Sequence, residues 1–244
     1  MKKVSAALSV AALAVAIAPL GAMAYEVNTV GALTQGEFRL LSEDLAAALS
    51  YKPIIPAEAL GISGFDLAVA ASATKLKNAI LLSKAANGHE VRTTMPMVSV
   101  RADKGLPFNI DIAGSYTNVP GTDFSAYGGE LRWAILPGST ALPAVAIRGS
   151  GTKLTGVDQL DFTTYGVDVS VSKGLAIFTP YGGVGQVWVR SRPQESAAAT
   201  LTEEKFNKTK LFAGVNVNLG VNFAFEYDNT GGISSFSAKV GFRF

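Results

Sequence analysis

The sequence predicts an all-β protein: a transmembrane antiparallel up-and-down β-barrel of about 10 strands, with 8 or 12 as alternatives, preceded by one α-helix. Three observations predict it. Apolar residues recur at every second position through most of residues 64–244. The connections between the alternating stretches are by turns tight and long, the rhythm of a barrel whose two rims face different compartments. The chain is 48% apolar and 16% charged. Beyond its N-terminus it nonetheless lacks the uninterrupted run of ~20 apolar residues that a spanning helix needs.

The first element is an address. Lys2 and Lys3 form a basic start, Val4 to Leu20 an apolar stretch, and Ala22-Met-Ala24 an A-x-A cleavage site. Residues 1–24 are expected to be a cleaved signal peptide, with Ala22 and Ala24 as the cleavage residues. Residues 25–63 then form a periplasmic N-terminal segment containing a helix at 34–50. Thr34-Gln-Gly-Glu37 fits a capping box. Phe38, Leu41, Leu45 and Leu49 make an apolar stripe along one face. Pro53 stops the helix, and Lys52 to Gly61 make an extended connector. The helix is expected to plug the barrel or to cap its periplasmic mouth.

Residues 64–244 form the barrel. Strands are expected near 64–78, 94–105, 108–119, 123–136, 141–154, 160–173, 176–191, 204–219, 221–229 and 233–244. Tight turns are expected at 103–107, 137–140, 173–174 and 219–220. Longer polar connections are expected at 79–92, 118–123, 155–159, 192–203 and 228–232. A soluble β-sandwich also alternates, but three features favour a membrane. One face of each strand is almost wholly Val, Leu, Phe or Ala, charge is scarce, and the last residue is Phe244. Closing the sheet pairs every backbone group, which hydrocarbon demands.

The polar face of the strands then lines the lumen. Its charged members are Asp66, Arg101, Asp111, Glu130, Arg132, Arg148, Asp168, Lys210, Glu226, Lys239 and Arg243. Both signs are present, so pairing across a narrow lumen is expected. The aromatic residues Phe65, Tyr116, Tyr127, Trp133, Tyr165, Tyr227, Phe242 and Phe244 fall near strand ends, as interfacial girdles require.

Composition excludes several functions. Beyond the first 24 residues the chain carries 19 charges of each sign, without the basic excess that nucleic acid requires. There is no cysteine and one histidine, which removes thiolate chemistry and most metal sites. His89-Glu90 lacks the second histidine of a zincin, since position 93 is Thr. A lipid hydrolase at the rim would need His89 beside Ser72 or Ser83, and no motif selects either. Gly149-Ser-Gly-Thr-Lys153 lacks phosphate-loop spacing. Tyr181-Gly-Gly-Val-Gly185 reads as a place where the wall bends under an aromatic cover. Asn207-Lys-Thr209 is a formal sequon of little weight, and Glu203-Glu204 beside Lys205 reads as a solvated face. No catalytic residue, cofactor or metal is expected.

The C-terminal Phe236-Ser-Ala-Lys-Val-Gly-Phe-Arg-Phe244 resembles the last strand of Gram-negative outer-membrane barrel proteins. That resemblance implies a bacterial outer-membrane location. It also implies recognition by the barrel-assembly machinery through Val240, Phe242 and Phe244. Residues 41–53 with 60–66 also resemble the start of an uncharacterised family of proteobacterial outer-membrane proteins, which brings no catalytic residues. The expected function is a narrow or gated channel for small solutes, with the N-terminal helix as plug or mouth cap. The alternatives are a structural or surface-interaction barrel and, third, a lipid-modifying enzyme at the rim. The expected partners are outer-membrane lipid and the assembly machinery, with a small solute for the channel reading. A monomer is favoured over an oligomer.

Overall fold

Alternation at period two forces one face of each strand toward a common interior, and ten such strands close on themselves. The computed structural model describes residues 27–89 and 91–244. The expected signal peptide and its cleavage residues lie outside them. The strands are β1 (Phe65–Lys75), β2 (Thr94–Leu106), β3 (Ile110–Asn118), β4 (Ser125–Pro137), β5 (Ala144–Thr155), β6 (Leu160–Ser172), β7 (Phe178–Pro193), β8 (Glu204–Asn218), β9 (Asn222–Thr230) and β10 (Ile233–Arg243). Each pairs antiparallel with its neighbours in sequence, and β1 pairs with β10 to close the barrel. Among the described residues no helix is long and apolar enough to cross a membrane.

Several connections differ from expectation. The 79–92 connection contains a helix, α2 (Ala79–Ala85), because its apolar start buries Leu81 and Leu82. The first tight turn sits at Pro107–Asn109 rather than 103–107. Phe108 and Asn109 take φ of 65° and 60° there, and Phe108 is exposed at the apex rather than belonging to a strand. The last connection, placed among the long ones, is a two-residue turn. Gly231 and Gly232 take φ of 60° and 85°, and two consecutive positive values suit a hairpin whose turn twists with its strands.

The exterior is an apolar band between two aromatic tiers. Tyr116, Tyr127, Tyr165, Trp188, Tyr227 and Phe236 are exposed near the end that carries α2. Phe65, Trp133, Phe178, Phe242 and Phe244 are exposed near the other. On β6, Tyr165, Val167, Val169 and Val171 all face outward, covering about 20 Å of strand. This is the outer surface of a barrel that crosses hydrocarbon.

The N-terminal helix α1 (Gln35–Leu49) forms where the capping box predicts. The Thr34 hydroxyl accepts from the Glu37 amide, and the Glu37 carboxylate accepts from the Thr34 amide. Its position corrects the expectation of a cap at the short-turn mouth, since α1 lies at the opposite end, among the β1–β2 and β7–β8 connections. The Asp44 carboxylate accepts the amides of Lys77 at 3.1 Å and Asn78 at 2.6 Å. The Gln35 amide oxygen accepts the Thr202 amide at 2.9 Å. The reason is chemical. At that end the inner wall is apolar, with Met95, Met97, Phe124, Phe162, Val187 and Val189 buried against Phe38, Leu41, Leu45 and Leu49. Only there does the helix stripe find a matching surface. Leu45→Ala should therefore cost about 3 kcal/mol, read as a lower denaturant midpoint of the folded barrel. Leu40→Ala, on the exposed helix face, should stay within about 0.5 kcal/mol.

Candidate functional site: the occupied lumen

Below the helix the inner wall changes character, and so does the chain that fills it. After Leu49 the segment 50–64 runs without helix or strand through the barrel from the helix end to the start of β1, and the expected extended connector is bent at Ile54 and Gly61, which take φ of 50° and 78°. Residues 50–56 are buried without exception. Pro53 and Pro56 keep the segment from continuing the helix and need no amide partner. Its remaining backbone groups do need partners, and wall side chains supply them. Ile54 N donates to Glu226 at 2.8 Å, Ala57 N to Ser172 Oγ at 3.1 Å, and Leu60 N to Asp111 at 3.0 Å. In the other direction, Arg132 donates to the Pro56 carbonyl at 2.8 Å, while Arg101 and Lys210 donate to the Lys52 and Tyr51 carbonyls.

Two side chains of the segment anchor it. Lys52 Nζ donates to Asp228 at 2.9 Å, Ser235 at 3.0 Å and the Ala47 carbonyl at 2.7 Å. Tyr51 accepts from Arg101 at 2.9 Å. The Tyr51 ring lies over Gly128, where an added Cβ would come within 3.0 Å of it. The same Cβ would lie 2.6 Å from Ser115 Oγ, so a side chain at 128 would have to displace both neighbours.

The charged residues read from sequence as lumen-lining are buried in this lower half, apart from Arg243, which is half-buried at the last residue of β10. The expected pairing across the lumen is not what the wall does. The pairs run between adjacent strands: Arg132 with Asp111 at 2.6 Å, Lys239 with Asp66 at 2.6 Å, and Arg148 with Glu130 at 3.4 Å and Asp168 at 3.3 Å. The lumen axis is taken by the 50–64 segment, and contact between non-neighbouring strands is made beside it, as where Arg148 lies 5.6 Å from the Phe212 ring and Tyr181 donates to Glu226 at 3.0 Å. Asp103, Asp228 and Tyr181 belong to the same network and were missed. Asp103 and Asp228 stood on the polar side of the alternation and could have been included. Tyr181 sat in the glycine-rich stretch and gave no such signal. That stretch is continuous strand, in which Tyr181 covers Gly214 and Phe212 covers Gly183.

Beside the segment lie spaces of about 30 and 10 Å3, room for a water or two. Among the described residues no group of three or more His, Cys, Asp or Glu could hold a metal ion. The Ser83 hydroxyl donates to the backbone carbonyl of exposed His89, and Ser72 shares a hydrogen bond with Ser237 at 2.8 Å. Neither serine is presented to the imidazole. Glu203 and Glu204, read as a solvated face, are engaged. Glu204 accepts from Arg39 of α1 at 3.1 Å, and Glu203 gathers Arg190, Arg192 and Lys205.

No protein-family model and no curated protein matches the sequence. Solved structures give weak fold-level similarities to bacterial membrane barrels. The N-terminal β-barrel domain of Pseudomonas aeruginosa OprF has a TM-score of 0.40 at 11% identity, covering 75% of this chain and 99% of its own. The KdgM porin has a TM-score of 0.38 at 5% identity, covering 73% and 99%. The translocator domain of the Neisseria meningitidis autotransporter NalP has a TM-score of 0.36 at 11% identity, covering 91% and 99%. At this level of similarity the site must be judged on its own chemistry.

Two outcomes follow from the geometry. Arg132→Met strands the buried Asp111 carboxylate and should cost about 3–5 kcal/mol of barrel stability. Adding Asp111→Asn should recover part of it, read as denaturant midpoints of the single and double variants. At the helix end, Lys84 and the capping amide of Thr34 hold the Glu37 carboxyl down to about 2, against an ordinary value of 4.5. A depressed carboxyl stabilises above its unfolded value and loses that contribution as pH falls. The helix start should therefore loosen between about pH 4.5 and 2. A spin label on Gly36→Cys in this cysteine-free chain should report the loosening, and Lys84→Gln should flatten the response.

Proposed function

We propose that the protein is a bacterial outer-membrane barrel sealed by its own N-terminal segment, with its role carried by the wall and outer face rather than by an open pore. One observation carries this reading. From helix to β1 the lumen holds chain, apolar against apolar in one half and hydrogen-bonded to wall charges in the other. Withdrawing the helix stripe alone would expose four large apolar side chains, roughly 1.5–3 kcal/mol each. That is too much for a segment that swings freely. The apolar band, the paired aromatic tiers and the closed sheet support an outer-membrane location with lipid as the immediate neighbour. The exposed Phe242 and Phe244 on the last strand support engagement by assembly machinery. The reading requires no catalytic residue and no second subunit.

A gated passage is the second reading. It is favoured by the polar half of the lumen, where Lys52, Ile54 and Leu60 are held by hydrogen bonds to Asp228, Glu226 and Asp111 that water can replace. Planar-bilayer conductance separates the two. The chain from residue 25 should give no sustained conductance, and a variant lacking residues 25–60 should open. A cysteine pair at Ala57→Cys and Ser172→Cys, where the parent contact is 3.1 Å, locks the segment to the wall when oxidised. Solute uptake that falls on oxidation and returns on reduction would establish the passage and defeat the sealed reading.

A further inference from the structure

On the outer face of β5–β8, just beyond the aromatic tier near α2, cations form a row. Lys153 lies opposite Thr163, Thr163 opposite Arg190, and Arg190 opposite Lys205. The row beneath it holds Tyr165 opposite Trp188 and Trp188 opposite Asn207. All three cations point away from the barrel, with side-chain exposures of 63% for Lys153, 47% for Arg190 and 66% for Lys205. Arg192 adds a fourth at 41%. The carboxylates within reach do not balance them. Glu203 is shared by Arg190, Arg192 at 3.5 Å and Lys205 at 2.9 Å, and Asp161 reaches Lys153 only at 3.8 Å. A positive surplus therefore remains at one height of the wall.

Arg190 and Lys205, with Tyr165, Trp188, Phe206 and Asn207, enclose a hollow of about 370 Å3 on the outside of the barrel. Its upper edge is cationic and its floor aromatic. Below the floor on β6 the outward residues are Val167, Val169 and Val171. A molecule that fits must carry an anionic head at the level just beyond the aromatic tier and hydrocarbon beneath it. Guanidinium and ammonium groups in a row suit phosphate oxygens, and aromatic rings at that level suit the boundary between headgroup and acyl chain.

We propose that this hollow is a binding site for a membrane lipid with a net-anionic phosphate headgroup, the headgroup held by Arg190 and Lys205 and the acyl chains lying over Tyr165 and Val167. The lipid belongs to the leaflet on the α2 side of the barrel. The site depends on the membrane-barrel reading and not on whether the lumen is sealed. Lipid preference and bilayer conductance can therefore fail separately.

The chain has two tryptophans, Trp133 and Trp188, so Trp133→Phe leaves one reporter at the site. The full chain in phosphatidylcholine vesicles receives an equal small fraction of acyl-brominated phosphatidic acid or acyl-brominated phosphatidylcholine, and fluorescence quenching is compared. Brominated phosphatidic acid should quench Trp188 about threefold more strongly. Arg190→Gln with Lys205→Gln should bring the ratio to about one. If that pair prevents folding, Lys205→Gln alone should lower the ratio part of the way. Trp188→Phe, which leaves Trp133 beside Ile110 and Ile147 at the far end, should show no preference. Excess inorganic phosphate should leave the Trp188 preference in place. Its erasure by free phosphate would overturn the proposal in favour of a simple anion site. So would equal quenching by the two lipids, or a preference that survives the substitutions.

Discussion

The structure depends on a change of chemistry halfway down the inner wall. Near α2 the inward positions are Met, Phe, Leu and Val. Nearer the start of β1 they are Arg, Lys, Asp and Glu. Neither half tolerates an empty lumen in the same way. The apolar half needs an apolar filling to exclude water. The charged half needs hydrogen-bonding partners, because buried ions left alone are costly. The N-terminal segment meets both demands in order, first with the striped face of α1 and then with an irregular, proline-punctuated backbone.

That match explains why the two halves of the segment differ in secondary structure. A helix satisfies its own backbone and presents only side chains, which suits the apolar half. A chain outside helix and sheet leaves its amides and carbonyls free, and Glu226, Asp111, Arg132 and Lys210 use them. The wall pairs such as Arg132 with Asp111 thus serve twice, joining neighbouring strands and holding the chain between them.

Much of the fold was legible because period-two alternation is a local signal. β2 and β8, for example, begin at 94 and 204 as read, and the Thr34 capping box marks the start of α1. The turn at Pro107–Asn109 was misplaced because non-glycine residues there adopt positive φ, which composition does not announce. The lumen charges could be listed from alternation, but their partners could not. Whether Arg132 faces a carboxylate across the lumen or on the next strand depends on what occupies the axis. The position of α1 was missed for a similar reason. The inward apolar residues Met95, Met97, Val187 and Val189 come from distant strands, and only closure of the sheet gathers them at one end.

The path of residues 50–64 also bears on how the molecule is made. The segment enters β1 at one end of the barrel, while α1 lies at the other. β1 and β10 are the pair whose joining shuts the cylinder. A helix some 10–12 Å across with its side chains, bearing Glu37, Arg39, Glu43 and Asp44, would have to pass a ring of buried ions to arrive after that event. The paired hydrogen bonds of Phe65 with Phe244 lie at the foot of that seam, where the segment passes into the wall.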